Sequence, residues 1–317
     1  MKRWIALLAA LLVMLAAAGA AQEPVRVHAL KGPTGIGMVG LMEEYPQDYA
    51  FTLCGSADEI VAAVASGSAD IAACPTNLAA VLHAKTNGRV QLLALNTLGV
   101  LHIVTADPDI DDLSDLAGRT LYATGQGGVP EYALDYILEQ NGLTGSVNVQ
   151  YVAEHSELAA MLAAGLADVG MLPEPHVTGA LMQNDSLRAA MDVTALFDAA
   201  AKQAGHEDMV LSMGCVIVRR EYAAAHPEQV AAFLERYAAS VAFVNGDPAA
   251  AAQLVQTHGV MPKAAAAERA IPNCHIVMIA GDAMRAQIEP LYALLHEANP
   301  ASVGGSLPGD DFYYDAP

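Results

Sequence analysis

The chain has 317 residues, 15 of them Lys or Arg and 35 Asp or Glu, for a formal net charge of −20 at pH 7. So acidic a surface argues against nucleic acid and against anionic lipid as partners, because both would repel it. The length suffices for two domains of ordinary size, each with its own core.

Lys2 and Arg3 precede an apolar run over residues 4–18, and small residues follow at Ala18-Gly19-Ala20-Ala21 before Gln22-Glu23-Pro24. This layout predicts a secretory signal peptide over residues 1–21, cleaved after Ala20 or Ala21. The run is short for a membrane span. No cysteine lies near the cleavage region to carry a lipid, the next being Cys54, so an exported, soluble, periplasmic protein is expected. Short apolar strands and amphipathic helices then alternate. A strand is expected over 25–30, a turn at Gly32-Pro33-Thr34-Gly35, a helix over 36–44 and a strand over 49–53. Ser56-Ala57-Asp58-Glu59 has the form of a capping box opening a helix that runs to Gly67. A strand over 71–73 and a helix over 76–83 follow, then two strands, 90–95 and 100–105, expected to pair with each other. After the breaks at Asp107-Pro108-Asp109 and Asp111-Asp112 a second series begins. It comprises strands over 120–123, 147–152 and 169–172 and helices over 130–140, 156–164 and 177–183. This alternation predicts an α/β class with helices on both faces of a sheet.

The two series share a unit. Gly67, Asp70 and Pro75 recur as Gly165, Asp168 and Pro173, an offset of 98 at each (165 − 67, 168 − 70, 173 − 75). Each unit is an Ala-rich helix with Glu59 or Glu157 in its first turn, a Gly cap, an Ala-Asp pair, an apolar strand and a Pro. Two lobes of like construction are implied. Open α/β sheets bind ligands outside the carboxyl ends of their strands, so two facing lobes would hold a ligand between them.

No nucleophile elbow, zinc-protease helix or Walker loop is present, and the histidines, among them His28, His102, His155, His206 and His275, form no metal-spaced pair. No metal and no cofactor is expected. The four cysteines, Cys54, Cys74, Cys215 and Cys274, form no C-x-x-C pair, so a zinc knuckle or redox motif is not expected. Buried free thiols and disulfides both remain open.

Asp115-Leu116-Ala117-Gly118-Arg119-Thr120-Leu121 and the stretch from Gly125 to Tyr132 resemble the start of the second lobe in periplasmic binding proteins of the nitrate/sulfonate/taurine class, which includes binders of thiamine-pyrimidine precursors. Ala163-Ala164-Gly165-Leu166-Ala167-Asp168-Val169-Gly170-Met171-Leu172-Pro173-Glu174-Pro175 is similar to that class's "G-x-x-D-x-x-x-x-P-E-P" segment. His226-Pro227-Glu228, Ala231, Phe233 and Val244-Asn245-Gly246-Asp247-Pro248 resemble its C-terminal helices. The resemblance spans nearly all of the chain beyond the leader. It implies the type II periplasmic binding protein fold, two lobes with a cleft between them, closing on a ligand. By analogy the chain would cross between lobes near 105–108 and near 212–215, giving lobe 1 as 25–105 with 215–317 and lobe 2 as 106–214. Cys215 and Cys274 then fall in one lobe, each beside an apolar strand-like run, and are expected to pair under oxidising conditions.

The layout nominates the ligand loops. Gly32, Pro33, Thr34 and Gly35 join a strand to a helix, either as a plain tight turn or as a cradle of amides and a hydroxyl for an oxygen-rich group. Thr76 and Asn77 either cap the next helix or face the cleft. Asn96 and Thr97 end another strand and are weaker candidates. In the second lobe Gln126, Gly127 and Gly128 form a loop with accessible amides that opens a helix, suited to an anion or a polar edge. Glu131 reads as a first-turn acid favoured by the helix dipole. Glu174 lies between two prolines and either accepts hydrogen bonds from a ligand N–H or caps the helix that starts near His176. His176 is either a cap or surface residue, or a ligand contact.

These loops hold no arginine, and Lys31 is the one nearby cation, so strong phosphate or dicarboxylate clamping is not expected. A small polar organic ligand is expected, a heterocycle among the candidates, with a sulfonate as the alternative. The resemblance implies an ABC permease and its ATPase as partners and a monomer in solution, and it implies a binding protein, not an enzyme. An enzyme like the thiamine-pyrimidine synthases on the same fold is the alternative, although the cysteine-rich motif of those enzymes is missing. A sensor subunit that presents its ligand to a membrane receptor is a third reading.

Overall fold

The computed structural model describes residues 23–315; the leader expected over 1–21 lies outside the described residues. The chain builds two mixed sheets. In the first series, β1 (Val25–Leu30) is followed by the short helices α1 (Pro33–Ile36) and α2 (Val39–Glu44), then β2 (Tyr49–Cys54), α3 (Ala57–Ser66), β3 (Ile71–Pro75), α4 (Thr76–Lys85), β4 (Val90–Thr97) and β5 (Leu101–Thr105). In the second come β6 (Thr120–Ala123), α5 (Val129–Gln140), β7 (Asn148–Tyr151), α6 (His155–Ala163), β8 (Val169–Pro173), α7 (His176–Leu181), β9 (Arg188–Asp192) and α8 (Val193–Gln203). The chain then returns through β10 (Gly214–Arg219), α9 (Arg220–Ala225), α10 (Pro227–Gly246), α11 (Pro248–Thr257), α12 (Ala264–Ala270), β11 (Ile276–Ala280) and α13 (Gly281–Ala298).

The first sheet has the order β11-β4-β10-β3-β1-β2 and the second β7-β6-β8-β5-β9. The repeat read in the sequence is a repeat of topology. β1 pairs in parallel with β2 and β3, and β6 pairs in parallel with β7 and β8. The central strands β3 and β8 each take one antiparallel neighbour supplied from beyond the series, β10 and β5 respectively. Their apolar runs, Ile71–Cys74 and Val169–Leu172, are buried, as strands covered on both faces require. Gly67 and Gly165 occupy the left-handed conformation, φ 71° and 69°, that turns each preceding helix toward its strand.

Two expectations fail at the first crossing. Residues 90–95 and 100–105 do not pair, since β4 lies between β10 and β11 while β5 lies between β8 and β9. The chain therefore crosses at 98–100, not at 105–108, and β5 belongs to the second sheet. Both crossings are tightly packed. A Cβ at Gly99 would collide with Thr194, and one at Gly214 would stand 2.6 Å from Asn96 Oδ1. One apolar cluster runs through this region, joining Leu92 and Leu95 to Leu101, Ile103 and Leu211. Two more clusters cover the outer faces, one under α2, α10 and α11 and one under α6 and α7.

The capping box expected at Ser56 does not form. The Ser56 side chain takes no helix amide; Glu59 Oε1 instead accepts from Gly55 N at 3.2 Å and from Ser56 Oγ at 3.4 Å. Asp70 and Asp168, equivalent in sequence, live differently. Asp70 is buried and receives Arg26 Nη2 at 2.6 Å and Arg219 Nη2 at 2.7 Å, whereas Asp168 is exposed. Burial alone would raise the Asp70 carboxyl, but the hydrogen bonds from Arg26 and Arg219 prevail and hold it below its ordinary value.

The expected Cys215–Cys274 bridge is contradicted. All four cysteines are free and buried. Cys215 faces Cys74 across the β10–β3 register, with sulfurs 4.0 Å apart, while Cys274 packs in a separate apolar cluster. The physical reason is strand alternation: register sends the Cys215 side chain to one face of the sheet, and Cys274 lies against the other.

Candidate ligand-binding site

A cavity of about 520 Å³ opens between the two sheets, beyond the carboxyl ends of β1, β2 and β3 on one side and β7 and β8 on the other. Lys31 to Thr34 line it after β1, Gly55 to Ala57 after β2 and Pro75 at the end of β3. From the second lobe come Glu154, His155 and Ser156 at the head of α6, and Pro173 to His176 between β8 and α7. Val260, Met261 and Pro262, between α11 and α12, form an apolar wall, and Thr97, Val100 and Met213 enter from the crossings. Two smaller cavities, about 310 and 280 Å³, lie on the first lobe away from this cleft.

The residues nominated from sequence divide into three groups. Gly32, Pro33, Thr34, Glu174 and His176 line the cavity together. Gly35, Thr76, Asn77 and Asn96 sit behind that wall. Gly35 is buried, and a Cβ there would stand 2.6 Å from Leu30 O. Thr76 is fully buried with its hydroxyl 2.9 Å from Ser212 Oγ. Asn77 Nδ2 donates to Ser302 O at 3.4 Å, and Asn96 Nδ2 to Thr34 O at 3.3 Å. Thr34 spends its own hydroxyl on Leu30 O at 3.3 Å. Gln126, Gly127 and Gly128 form the third group and contribute nothing to the cavity lining. Gln126 and Gly127 are exposed, and Gly127 N donates to Glu131 at 2.5 Å, so this first-turn acid ties down its own loop.

Glu174 is only 2% exposed. Its carboxylate accepts from Thr178 N at 3.1 Å and Thr178 Oγ1 at 3.0 Å, which caps α7, and from Asn273 Nδ2 of the first lobe at 3.4 Å. The carboxylate thus closes a helix end and bridges the lobes at the cavity wall. Burial pushes its pKa up, with the Thr178 hydrogen bonds opposing the shift.

His155 and His176 were missed as a pair. Their rings lie 5.3 Å apart, centroid to centroid. His155 Nδ1 is 2.7 Å from the hydroxyl of buried Thr124, which fixes that ring. Burial depresses the His155 pKa; burial and the neighbouring His155 bring His176 down to about 4. Both imidazoles are neutral at pH 7, and their positions at helix N-termini disfavour the cationic form further. A signal for His155 was available. Carried from α3 to α6, the 98-residue repeat matches His155 to Ala57 (155 − 57), and both line the cavity. Among the described residues no group of three or more His, Cys, Asp or Glu is arranged to hold a metal ion.

The family described as ABC transporter, phosphonate, periplasmic substrate-binding protein matches residues 40–202. Comparison with curated protein sequences gives no significant match. Among solved structures, an ABC transporter protein from Parabacteroides distasonis superposes with a TM-score of 0.79 at 22% identity, over 93% of this chain and 99% of that one. The periplasmic aliphatic sulphonate binding protein SsuA of Escherichia coli gives a TM-score of 0.74 at 16% identity, over 93% of each chain. The alkanesulfonate-binding SsuA of Xanthomonas axonopodis pv. citri, bound to MOPS, gives 0.61 at 17%, over 92% of this chain and 96% of that one. At such identities these likenesses establish the fold, the two-lobed periplasmic binding protein architecture expected from the sequence. With its two facing sheets, its inter-lobe cavity and the match over residues 40–202, the chain belongs to the phosphonate-type periplasmic substrate-binding proteins of ABC transporters.

Proposed function

We propose that this protein captures a small organic oxyanion, a sulfonate or a phosphonate, between its lobes and hands it to the membrane permease of an ABC importer. Two helices, one from each lobe, carry this reading: α3 and α6 start at the cavity-lining Ala57 and His155 with no side chain capping their amides. Uncapped N–H groups and the positive ends of helix dipoles favour an anion without an arginine. The sulfonate-binding neighbours and the phosphonate description of the family support the same class.

The moving bodies on this reading are lobe 1, residues 25–97 with 214–315, and lobe 2, residues 101–203, hinged at the two crossings. A ligand that touches Lys31 to Thr34 in one lobe and Glu154 to Ser156 in the other binds the closed form better and shifts the population toward it. The family works outside the cytoplasmic membrane with a permease and an ATPase; we assign this chain an export leader over 1–21 and a monomeric state. The apolar wall of Pro33, Val260, Met261 and Pro262 favours a second reading, a neutral heterocycle.

Calorimetry with ethanesulfonate, ethylphosphonate and cytosine separates the two. The oxyanion reading expects one of the first two to bind, to raise the melting temperature and to shrink the radius of gyration in solution scattering. Binding of cytosine alone would replace the ligand class and leave the binding-protein role intact. Chemical turnover of any of them would reject that role in favour of the enzyme alternative.

A further inference from the structure

The cavity contains little fixed positive charge. No arginine lines it, and Lys31 is its one lysine, on an exposed loop. Two carboxylates, Glu154 and Glu174, share the wall. Yet two imidazoles stand side by side in that wall, and one nitrogen of His155 and both of His176 have no hydrogen-bond partner among the described residues.

We propose that His155 and His176 balance the ligand's charge: an oxyanion seated against the pair is accompanied by uptake of a proton from solution onto one of the two imidazoles. This rests on the oxyanion reading above and assigns two specificity-determining residues to it. Without a bound anion both rings are neutral, because burial penalises the cation at each, His155 adds to that at His176, and the helix N-termini disfavour it further. An anion within hydrogen-bond reach reverses the balance by favouring the charged form. The other ionisable groups around the pair are Glu154 and Glu157 at the head of α6, Glu174 before α7, Lys31, Asp58 and Glu59 across the cleft, His102 on β5, and Lys263, Glu268 and Arg269 at α12, which packs on α7. Apart from Glu174 and His102 these are exposed, so water screens their influence on the rings.

Between the pKa of the empty pair, about 4 for His176, and the higher value in the complex, binding consumes a proton, and affinity rises as pH falls. The limit is about tenfold per pH unit for each proton taken up. Ethanesulfonate is the suitable probe, because its own charge is fixed between pH 5 and pH 8. Calorimetry at pH 6 in two buffers of different ionisation enthalpy counts the protons directly. Uptake approaching one proton, affinity increasing from pH 8 to pH 5, and loss of both in the double variant His155→Gln, His176→Gln are expected. Histidine ring signals in the wild-type NMR spectrum, titrated with and without ethanesulfonate, give the same answer if the double variant does not fold. Binding without proton uptake overturns this inference and leaves the binding function standing. Absence of binding of both ethanesulfonate and ethylphosphonate at millimolar concentration overturns it together with the oxyanion reading.

Discussion

The imidazole of His155 stands 5.3 Å from that of His176, with 45° between the ring planes, although each residue heads a different helix. Burial first, and then this contact, make His176 a source of acid sensitivity. The folded pKa of His176 is near 4 against an ordinary 6.5, so below pH 6.5 the unfolded chain binds the extra proton. The stability tied to His176 is therefore complete above pH 6.5 and is lost as pH falls toward 4. Discounted for a ring that water partly reaches, the loss is about 2 kcal/mol. Urea unfolding of His176→Gln at pH 7 and pH 4.5 checks this: the variant should lose about 2 kcal/mol less than wild type between the two.

Glu174 reports on the wall next to that pair. Glu174→Ala leaves the buried Thr178 N without its partner and should cost about 1–3 kcal/mol of stability. Glu174→Gln keeps an acceptor there and removes a charge that burial already disfavours, so its stability should stay within about 1 kcal/mol of wild type. On the oxyanion reading the loss of a nearby negative charge should tighten ethanesulfonate binding by about threefold. Calorimetry and urea unfolding on the two variants read both effects.

The paired positions of the repeat allow an internally controlled comparison. Asp70→Asn strips the counter-charge from Arg26 and Arg219 at a site 5% exposed and should cost about 2–3 kcal/mol, allowing for the partial exposure of both arginines. Asp168→Asn, on the exposed equivalent, should stay within about 0.5 kcal/mol of wild type. Because the Asp70 carboxyl is held low, its contribution is present above the ordinary aspartate value and disappears as pH falls through the depressed one. Equal losses at both positions would contradict the structural difference between them.

Oxidative refolding tests the sheet register. Any bridge that forms should join Cys74 to Cys215, which face each other on β3 and β10. Burial, and then the neighbouring Cys74, push the Cys215 thiol well above its ordinary pKa, so the folded protein should react slowly with thiol reagents and promptly once denatured. Peptide mapping without reduction identifies the partner, and a Cys215–Cys274 linkage would contradict the register.

Much of the architecture was readable along the chain. The strands at Val25–Leu30 and Thr120–Ala123, the helices after them, and the 98-residue echo of Gly67, Asp70 and Pro75 follow from apolar period, helix punctuation and glycine conformation, all set within a few neighbouring residues. The placement of Gly32–Thr34 and Glu174–His176 at the cavity was legible for the same reason, since the carboxyl end of a strand in an open α/β sheet fixes where the chain emerges, although Pro33 and Thr34 open the helix α1 and do not form the expected turn. What stayed hidden depends on a partner distant in sequence. Residues 90–95 and 100–105 look like a hairpin because a short link joins two apolar runs; only the competition among strands for neighbours sends β5 to the other sheet. Asp70 and Asp168 are the same residue in the same motif, and only the first lies beside the arginines of β1 and β10. Gln126 to Gly128 look as open to a ligand as any glycine-rich turn, but their lobe presents them away from the cavity lining. The sequence determined the elements and the family. Tertiary packing decided which loops share the cleft, and it brought His155 to His176, because a pairwise contact across 21 residues costs chain entropy that only the packing of α6 on α7 offsets.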